Sequence, residues 1–202
     1  MALLGRLRTE TAASHRALEQ CVDIAGCLST PAEWRWLHEA FLGYWAPLEA
    51  ALFSSSDLDR WLPDAPLRQK SALLRRDVDS LGGTSEGLAF CEDLPALTSI
   101  AQKLGCLYVL EGSTLGGQII TRLAAEQGYA PPDGCRFFSS YGTQVGAMWK
   151  TFGERLEAYA LAHPDSHVIM VGSAVETFTR LGSWLATKKS ERSRDVGYSS
   201  KP

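Results

Sequence analysis

Three glycines stand inside a segment that otherwise has the pattern of one long helix. Asp93 is a suitable first cap for this helix, and Gly128, which precedes two prolines, is a suitable end. Between them, apolar residues recur at helical spacing: Ile100, Leu104, Leu107, Val109, Leu110, Leu115, Ile119 and Leu123. Each interior glycine costs a helix about 1 kcal/mol relative to alanine. We therefore expect something to pass very close to the backbone at Gly112, Gly116 and Gly117.

Two interpretations explain this strip of bare backbone. Gly112 and Gly116 share one face because they are four residues apart, and the adjacent Gly117 favours a bend. The first interpretation is close packing of another helix against small residues. The second is a flat ligand that lies against exposed main chain. The glycines alone do not decide between them.

The first helix, predicted from Leu3 to Val22, offers a partner wall for such a ligand. Its inward stripe consists of Leu4, Leu7, Thr11, Leu18 and Val22. With Leu4 at zero and 100° per residue, His15 falls at about 20°, Arg8 at about 40° and Glu19 at about 60°. His15 thus lies within the stripe, and the two charged residues lie on one flank of it.

A lone histidine on an apolar face is more often a core residue, but His15 has suitable neighbours. Glu19, one turn further on, can hold the imidazole in one tautomer, as a carboxylate does for a metal-bound histidine. Arg8 lies about 10 Å back along the axis. At this distance, Arg8 could pair with an acidic group at the edge of a flat macrocycle whose central metal is bound by His15. The alternative is that Arg8 and Glu19 are ordinary surface charges.

Together the two helices resemble those of the haem oxygenases. The first carries Arg8, Thr11, His15 and Glu19, and the later one carries Gly112-Ser-Thr-Leu-Gly-Gly-Gln118. The chain is most similar to the bacterial haem oxygenases that make biliverdin for bacteriophytochromes. The resemblance implies an all-α, single-domain helical bundle, with haem between the first helix and a glycine-bent distal helix.

The resemblance also implies a reaction. Haem is cleaved at a meso carbon to biliverdin, CO and ferrous iron, with O₂ and electrons from an external donor, so haem b is both cofactor and substrate. His15 would be the proximal iron ligand. The backbone at Gly112 and Gly116 would cover the opposite face and leave the sixth position open. A ferredoxin- or flavodoxin-type protein is the expected electron donor, and a bacteriophytochrome is a candidate acceptor of the biliverdin.

One position departs from the family pattern. Many haem oxygenases have an aspartate directly after the first distal glycine, where it anchors a water, and this chain has Ser113 instead. A hydroxyl donates and accepts hydrogen bonds but carries no charge. We therefore expect Ser113, Thr114 and Gln118 to hold this water together, with Ser113 as a catalytic residue beside Gly112 and Gly116.

Further haem contacts follow from the resemblance. The cofactor-binding candidates are Arg8, Thr11, Glu19, Gly117, Lys150, Arg155 and Phe178. Lys150 and Arg155 lie in a helix expected at 140–161 and would pair with the acidic edge of the haem. The alternatives are that both are solvated helix charges and that Phe178 is simply a core residue.

Composition limits the remaining possibilities. A chain of 202 residues that is 45% hydrophobic can bury a full core. A net charge of −3 gives no sign of nucleic-acid binding. Five scattered cysteines without a C-x-x-C motif favour reduced thiols and a cytoplasmic location. No targeting segment or 18-residue apolar run is present, so we expect neither secretion nor a membrane span.

The periodicity predicts helices and no strands. The helices are expected at about 3–22, 31–52, 66–80, 94–127, 140–161 and 165–186, within one domain of residues 1–187 followed by a flexible tail of residues 188–202. Two rival functions remain. One is a non-enzymatic haem carrier or sensor that uses the same His15. The other is a helical enzyme that acts on a different flat substrate, as thiamin-degrading relatives of this architecture do.

Overall fold

The protein is helical throughout its described part. The structure, a computed structural model, describes the backbone of residues 2–198 and the side chains of residues 2–194. Within that part the chain has no strand, and its α-helices are α1 (Leu3–Cys21), α2 (Ile24–Cys27), α3 (Pro31–Leu52), α4 (Ser71–Ser80), α5 (Ile100–Glu126), α6 (Arg136–Ser139), α7 (Val145–Ala162) and α8 (His167–Tyr198). None of the described helices is apolar over a stretch long enough to cross a bilayer.

The position of α1 is fixed at its first turn by a side chain from α7. Both carboxylate oxygens of Glu157 accept backbone N–H groups of α1, from Leu3 at 3.1 Å and from Leu4 at 2.8 Å. A carboxylate at a helix N-terminus satisfies free N–H groups and complements the helix dipole. The buried face of α1, made by Leu3, Leu7 and Thr11, then lies against the bundle.

The central helix α5 begins later than the sequence pattern predicted. Asp93 does not cap it; instead, its carboxylate pairs with Arg180 of α8. The cap is Ser99, whose hydroxyl accepts the backbone N–H of Gln102 at 3.2 Å, while the Gln102 side chain accepts the N–H of Ser99 at 3.0 Å. This reciprocal capping box satisfies the backbone N–H groups of Ser99 and Gln102 and starts the helix at Ile100.

Two other predicted helices are shorter than expected. The segment 66–80 divides into a 3-10 turn, Ala65–Arg68, and α4. The carboxylate of Glu49 on α3 accepts the backbone N–H groups of Lys70 at 2.6 Å and Ser71 at 2.9 Å, which fixes the start of α4 from a distant part of the chain. Similarly, α7 begins at Val145 rather than 140, because Ser140 and Gly142 have positive φ angles.

The last helix is longer than predicted. α8 does not end near residue 186 but continues to Tyr198. Lys188 contacts Glu191 within the helix at 2.9 Å, and Arg192 pairs with Glu33 of α3. Residues 188–198 therefore continue the helix, while residues 199–202 of the predicted tail lie outside the described residues.

Candidate active site

A deep cleft of about 1000 Å³ separates α1 from α5. Its inner end and sides are closed by side chains of α3, α6, α7 and α8, and most of the lining is aliphatic or aromatic. The cleft-lining residues used below are Arg8, Thr11, His15, Arg16, Glu19, Phe41, Trp45, Lys70, Gly112, Ser113, Thr114, Leu115, Gly116, Gly117, Ile119, Leu123, Phe137, Phe138, Trp149 and Phe178. A cleft of this size and lining suits a flat, largely apolar ligand.

One wall of the cleft presents an imidazole. His15 lies one turn beyond Thr11 on the line of buried α1 residues, yet its side chain is 54% exposed because the bundle opens into the cleft at this turn. Its Nδ1 atom lies 3.4 Å from Oε2 of Glu19. The ring also meets Phe178 of α8 edge to face, with centroids 5.5 Å apart. With Nδ1 directed at a carboxylate, Nε2 is the nitrogen available to a ligand.

The opposite wall, residues 112–117 of α5, is the glycine wall. A Cβ atom built on Gly116 would meet nothing within 4 Å, and one on Gly112 would meet only Trp149 at 3.8 Å. Gly117 differs, because a Cβ there would lie 2.5 Å from the carbonyl oxygen of Phe138 in α6. Close packing of another helix therefore accounts for Gly117, whereas Gly116 has the open space that a ligand against the main chain would need. Gly116 faces open space, and Gly117 permits close packing of α6.

Apolar side chains continue this wall along α5. Leu115, Ile119 and Leu123 line the cleft and are 40%, 55% and 41% exposed, respectively. Single exposed apolar residues are common, but three in a row on one helix face that borders a cleft indicate a surface that a ligand covers. The same three residues belong to the helical pattern that predicted α5.

The hydroxyl groups of the glycine wall are engaged by their own helix. Ser113 Oγ donates to the carbonyl oxygen of Leu110 at 2.7 Å, and Thr114 Oγ1 donates to that of Glu111 at 2.7 Å. Each hydroxyl has one proton to donate. In this arrangement, Ser113 and Thr114 can accept a hydrogen bond from a molecule in the cleft but cannot donate one.

Comparison with known proteins assigns the fold and the family. A sequence model of the Heme oxygenase family matches residues 1–187. The chain belongs to the haem oxygenase family. The structure is similar to that of NO- and CO-bound heme oxygenase from Neisseria meningitidis, with a TM-score of 0.80 and 18% identity over 93% of this chain and 92% of the other. It is also similar to heme oxygenase from Leptospira interrogans, with a TM-score of 0.73 and 16% identity over 93% and 100% of the two chains. No curated protein sequence matches the chain.

These findings confirm several predictions from the sequence. The family, the all-α single-domain fold and an oxygenase activity on haem are as expected. The structure also brings most of the predicted site residues of this haem oxygenase to one cleft: Arg8, Thr11, His15, Glu19, Gly112, Ser113, Gly116, Gly117 and Phe178.

Two predicted haem contacts do not reach the cleft of this haem oxygenase. Lys150 is 80% exposed, and its Nζ lies 3.9 Å from Oε1 of Glu154. Arg155 is exposed and likewise absent from the cleft lining. The reason is the helical turn, since α7 presents Trp149 to the cleft and the next residue therefore points away from it. The cleft lining instead includes Arg16 of α1, which was not among the predicted site residues.

A buried ionic cluster lies directly behind the glycine wall. Glu111, only 1% exposed, pairs with Arg68 through one carboxylate oxygen. Its other oxygen accepts Lys70 Nζ at 2.6 Å and the Tyr141 hydroxyl at 2.9 Å. Arg68 in turn pairs with Asp64 at 2.7 Å. Burial lowers the pKa of Lys70, an effect that Glu111 opposes, and burial also raises the pKa of Tyr141.

Sequence reasoning missed this cluster, although one signal was present. Glu111 is a charged residue in a strongly apolar helical run and directly precedes Gly112. Such a residue indicates a buried partner, because an unpaired carboxylate is costly in a core. Its partners could not be found by pattern, since Arg68 and Lys70 lie in a short connection more than 40 residues away.

Proposed function

We propose that the protein cleaves haem at a meso carbon to biliverdin, CO and ferrous iron, with O₂ and externally supplied electrons. The observation that carries this proposal is the cleft, in which an available imidazole nitrogen faces a helix wall free of side chains at Gly116. Haem b would be both substrate and cofactor. When bound, it supplies the iron chemistry that activates O₂.

His15 would hold the iron from the α1 side. Its Nε2 is available because Nδ1 lies 3.4 Å from the Glu19 carboxylate, and this contact favours the tautomer with a proton on Nδ1. The edge-to-face contact with Phe178 restricts rotation of the ring. Thr11, buried one turn earlier with its hydroxyl bonded to the Leu7 carbonyl at 2.8 Å, supports the helix beneath the macrocycle.

The glycine wall would cover the other face of the ring. Any side chain at Gly116 would occupy space that the macrocycle or its small ligand needs. The exposed faces of Leu115, Ile119 and Leu123 would be covered by the apolar part of the haem and would keep water from its edge. Confinement beneath the main chain would also restrict the orientation of a small ligand on this face and so would favour reaction at one meso carbon.

The acidic edge of haem needs cations, and Arg8 and Arg16 lie in the cleft lining. Their guanidinium groups suit two carboxylates. Lys150 and Arg155 would have to change side-chain conformation to take part. A ferredoxin- or flavodoxin-type electron donor, a bacteriophytochrome acceptor and a cytoplasmic location are proposed from the sequence resemblance and composition alone.

Reconstitution with haem tests the function. Ferric haem is added to the purified protein, followed by a ferredoxin with its reductase in aerated buffer, and the absorption spectrum is recorded. Loss of the Soret band with appearance of a biliverdin spectrum, identified by chromatography, is the expected result. A stable oxygenated complex without biliverdin would instead indicate the haem carrier. Failure to bind haem would favour a different flat substrate.

A further inference from the structure

The buried end of the cleft, the inner recess, combines aromatic walls with two hydrogen-bond donors. It is lined by Phe41, Trp45, Lys70, Phe137 and Phe138, all buried. The aromatic rings are in mutual contact, with centroids 5.6 Å apart for Phe41 and Trp45 and 5.1 Å apart for Trp45 and Phe137. Within this apolar surround, only the Trp45 indole N–H and the Lys70 ammonium group can donate hydrogen bonds from these five side chains.

The indole donor has no acceptor. Trp45 is 1% exposed, and its Nε1 atom finds no hydrogen-bond partner among the described residues. Buried N–H groups nearly always have a partner, either protein or ordered water. An unpaired indole N–H on a residue that lines a cavity therefore indicates a site for a small acceptor.

The second donor, Lys70, lines the same recess and belongs to a segment that Glu49 of α3 holds in place. Glu49 lies one turn after Trp45 on α3, and its carboxylate accepts the backbone N–H of Lys70 at 2.6 Å. Lys70 Nζ donates to Glu111 at 2.6 Å and to the Arg68 carbonyl at 2.9 Å, while the Tyr141 ring lies 4.8 Å away. These two bonds use two of its three hydrogens and leave one for an acceptor in the recess.

We propose that Trp45 and Lys70 together bind a water molecule in the inner recess, and that Lys70 orients it toward the small ligand at the open face of bound haem. The inference rests on the proposed function. Lys70 is then a positioning residue for the reaction. It takes a task that the hydroxyl of Ser113 cannot perform, because that hydroxyl donates to Leu110 within its own helix.

The charged surroundings show why Lys70 rather than a neighbour has this role. Glu111 on α5 is an acceptor, Glu49 on α3 is occupied by α4, and the Arg68 side chain is directed to Asp64 and Glu111. Loss of the Lys70 ammonium leaves Glu111 paired with Arg68 and Tyr141. The variant Lys70→Met therefore removes a donor from the recess without leaving the carboxylate unpartnered.

A crystal structure of the haem-free protein tests the water site directly. We expect one ordered water within about 3 Å of both Trp45 Nε1 and Lys70 Nζ. The variant Trp45→Phe keeps the ring, removes only the unpaired donor and should lose this water. A dry recess in the wild-type protein, or a water unaffected by Trp45→Phe, would overturn the proposal.

Ligand binding to the reconstituted protein tests the orienting role. Fluoride accepts hydrogen bonds and binds ferric haem, whereas carbon monoxide is a neutral ligand of ferrous haem. The variant Lys70→Met should weaken fluoride binding about tenfold, because the water that donates to fluoride loses the charge-assisted hydrogen bond that orients it, and should change carbon monoxide binding much less. Lys70→Arg should recover part of the fluoride affinity.

Lys103→Met is the matched control, because Lys103 is also buried and paired, with Asp57 at 2.7 Å, but is not part of the cleft lining. It should leave both affinities unchanged. Equal effects of Lys70→Met on the two ligands, or no effect on fluoride, would overturn the orienting role. Failure of the wild type to bind haem would overturn the proposed function instead, and the haem-free crystal structure would still decide whether the recess holds water.

Discussion

His15 lies one turn beyond Thr11 on the same face of α1 as Leu3 and Leu7, but this turn borders the cleft rather than the core. A side chain that packs against the core contributes to folding, whereas one that is 54% exposed contributes little. Its contacts with Glu19 and Phe178 orient the ring without burying it. At the scale of single residues, the structure thus separates His15, exposed in the cleft, from the buried α1 positions that stabilise the fold.

Replacement of His15 should remove haem ligation and leave the fold intact. We expect His15→Ala to lose the Soret spectrum of histidine-ligated haem and its turnover, because Nε2 is the available ligand atom. Thermal unfolding of the haem-free variant should match the wild type. The control is His167→Ala on α8, whose ring contacts the Ala160 carbonyl at 3.4 Å and is not part of the cleft lining. Normal biliverdin production by His15→Ala would contradict the ligand assignment.

The adjacent glycines Gly116 and Gly117 should respond oppositely to the same substitution. Gly116→Ala should raise the unfolding free energy of the haem-free protein by about 1 kcal/mol through helix propensity and weaken haem binding, since its Cβ enters the cleft. Gly117→Ala should lower the unfolding free energy by about 1–3 kcal/mol, because its Cβ meets the Phe138 carbonyl.

Denaturant titration and haem titration of the same two variants measure both effects. If Gly116→Ala bound haem as tightly as the wild type, the glycine wall would not be in contact with the ring. Equal stability changes in the two variants would contradict the different packing of the two residues.

At the scale of elements, α5 carries the glycine wall on its cleft side and the buried carboxylate of Glu111 on its inner side. Glu111 binds Arg68, Lys70 and Tyr141, which belong to two separate connections in the chain. The cluster therefore ties the glycine wall to the turn before α4 and to the segment before α7. It fixes the helix at the point where Gly112 begins the strip.

Loss of the Glu111 cluster should destabilise the protein. Glu111→Ala leaves two buried cations without their shared partner, and we expect the unfolding free energy to fall by about 3–5 kcal/mol. Glu154→Ala is the control, because its contact with Lys150 is 3.9 Å long and both side chains are largely exposed, so it should change stability little. A Glu111→Ala protein as stable as the control would show that the cluster does not anchor α5.

The sequence predicted helix ends well where the capping residue is a neighbour in the chain. The helix α3 spans the predicted residues 31–52, and its cap is local, because the Thr30 hydroxyl accepts the backbone N–H of Glu33. The start of α4 was not readable, because its cap is Glu49 on another helix. Likewise, the inward stripe of α1 located His15, but no local pattern joins Lys70 to Glu111. Contacts between distant segments depend on the folded topology.

At the scale of the whole molecule, a second buried polar group positions the inner recess. Asp77 on α4 accepts the backbone N–H groups of Arg136 at 2.9 Å and Phe137 at 2.8 Å, which holds α6 and its two phenylalanines in place. Nε2 of His38 on α3 lies 3.6 Å from the same carboxylate without a hydrogen-bond partner. Thus α3, α4 and α6 meet at one buried site.

This site should make stability depend on pH. Burial lowers the pKa of His38 from 6.5 to about 4. Between these values, the unfolded chain binds a proton that the folded chain does not, so the unfolding free energy should fall as pH drops through this range. For His38 alone the loss is about 3 kcal/mol. Burial raises the pKa of Asp77, and this shift has the opposite sign and offsets part of the loss.

Chemical denaturation between pH 7 and pH 4 measures this dependence. The variant His38→Asn should show a flatter profile than the wild type, because it removes the group whose protonation opposes folding. Parallel profiles for the two proteins would show that His38 does not account for the dependence.

The most direct test of the account is the crystal structure of the haem complex. We predict the ring in the cleft between α1 and α5, with iron bonded to Nε2 of His15 and the backbone of Gly112 and Gly116 over the opposite face. Arg8 and Arg16 should lie at its acidic edge. Haem bound outside this cleft, or iron ligated by a residue other than His15, would contradict the account.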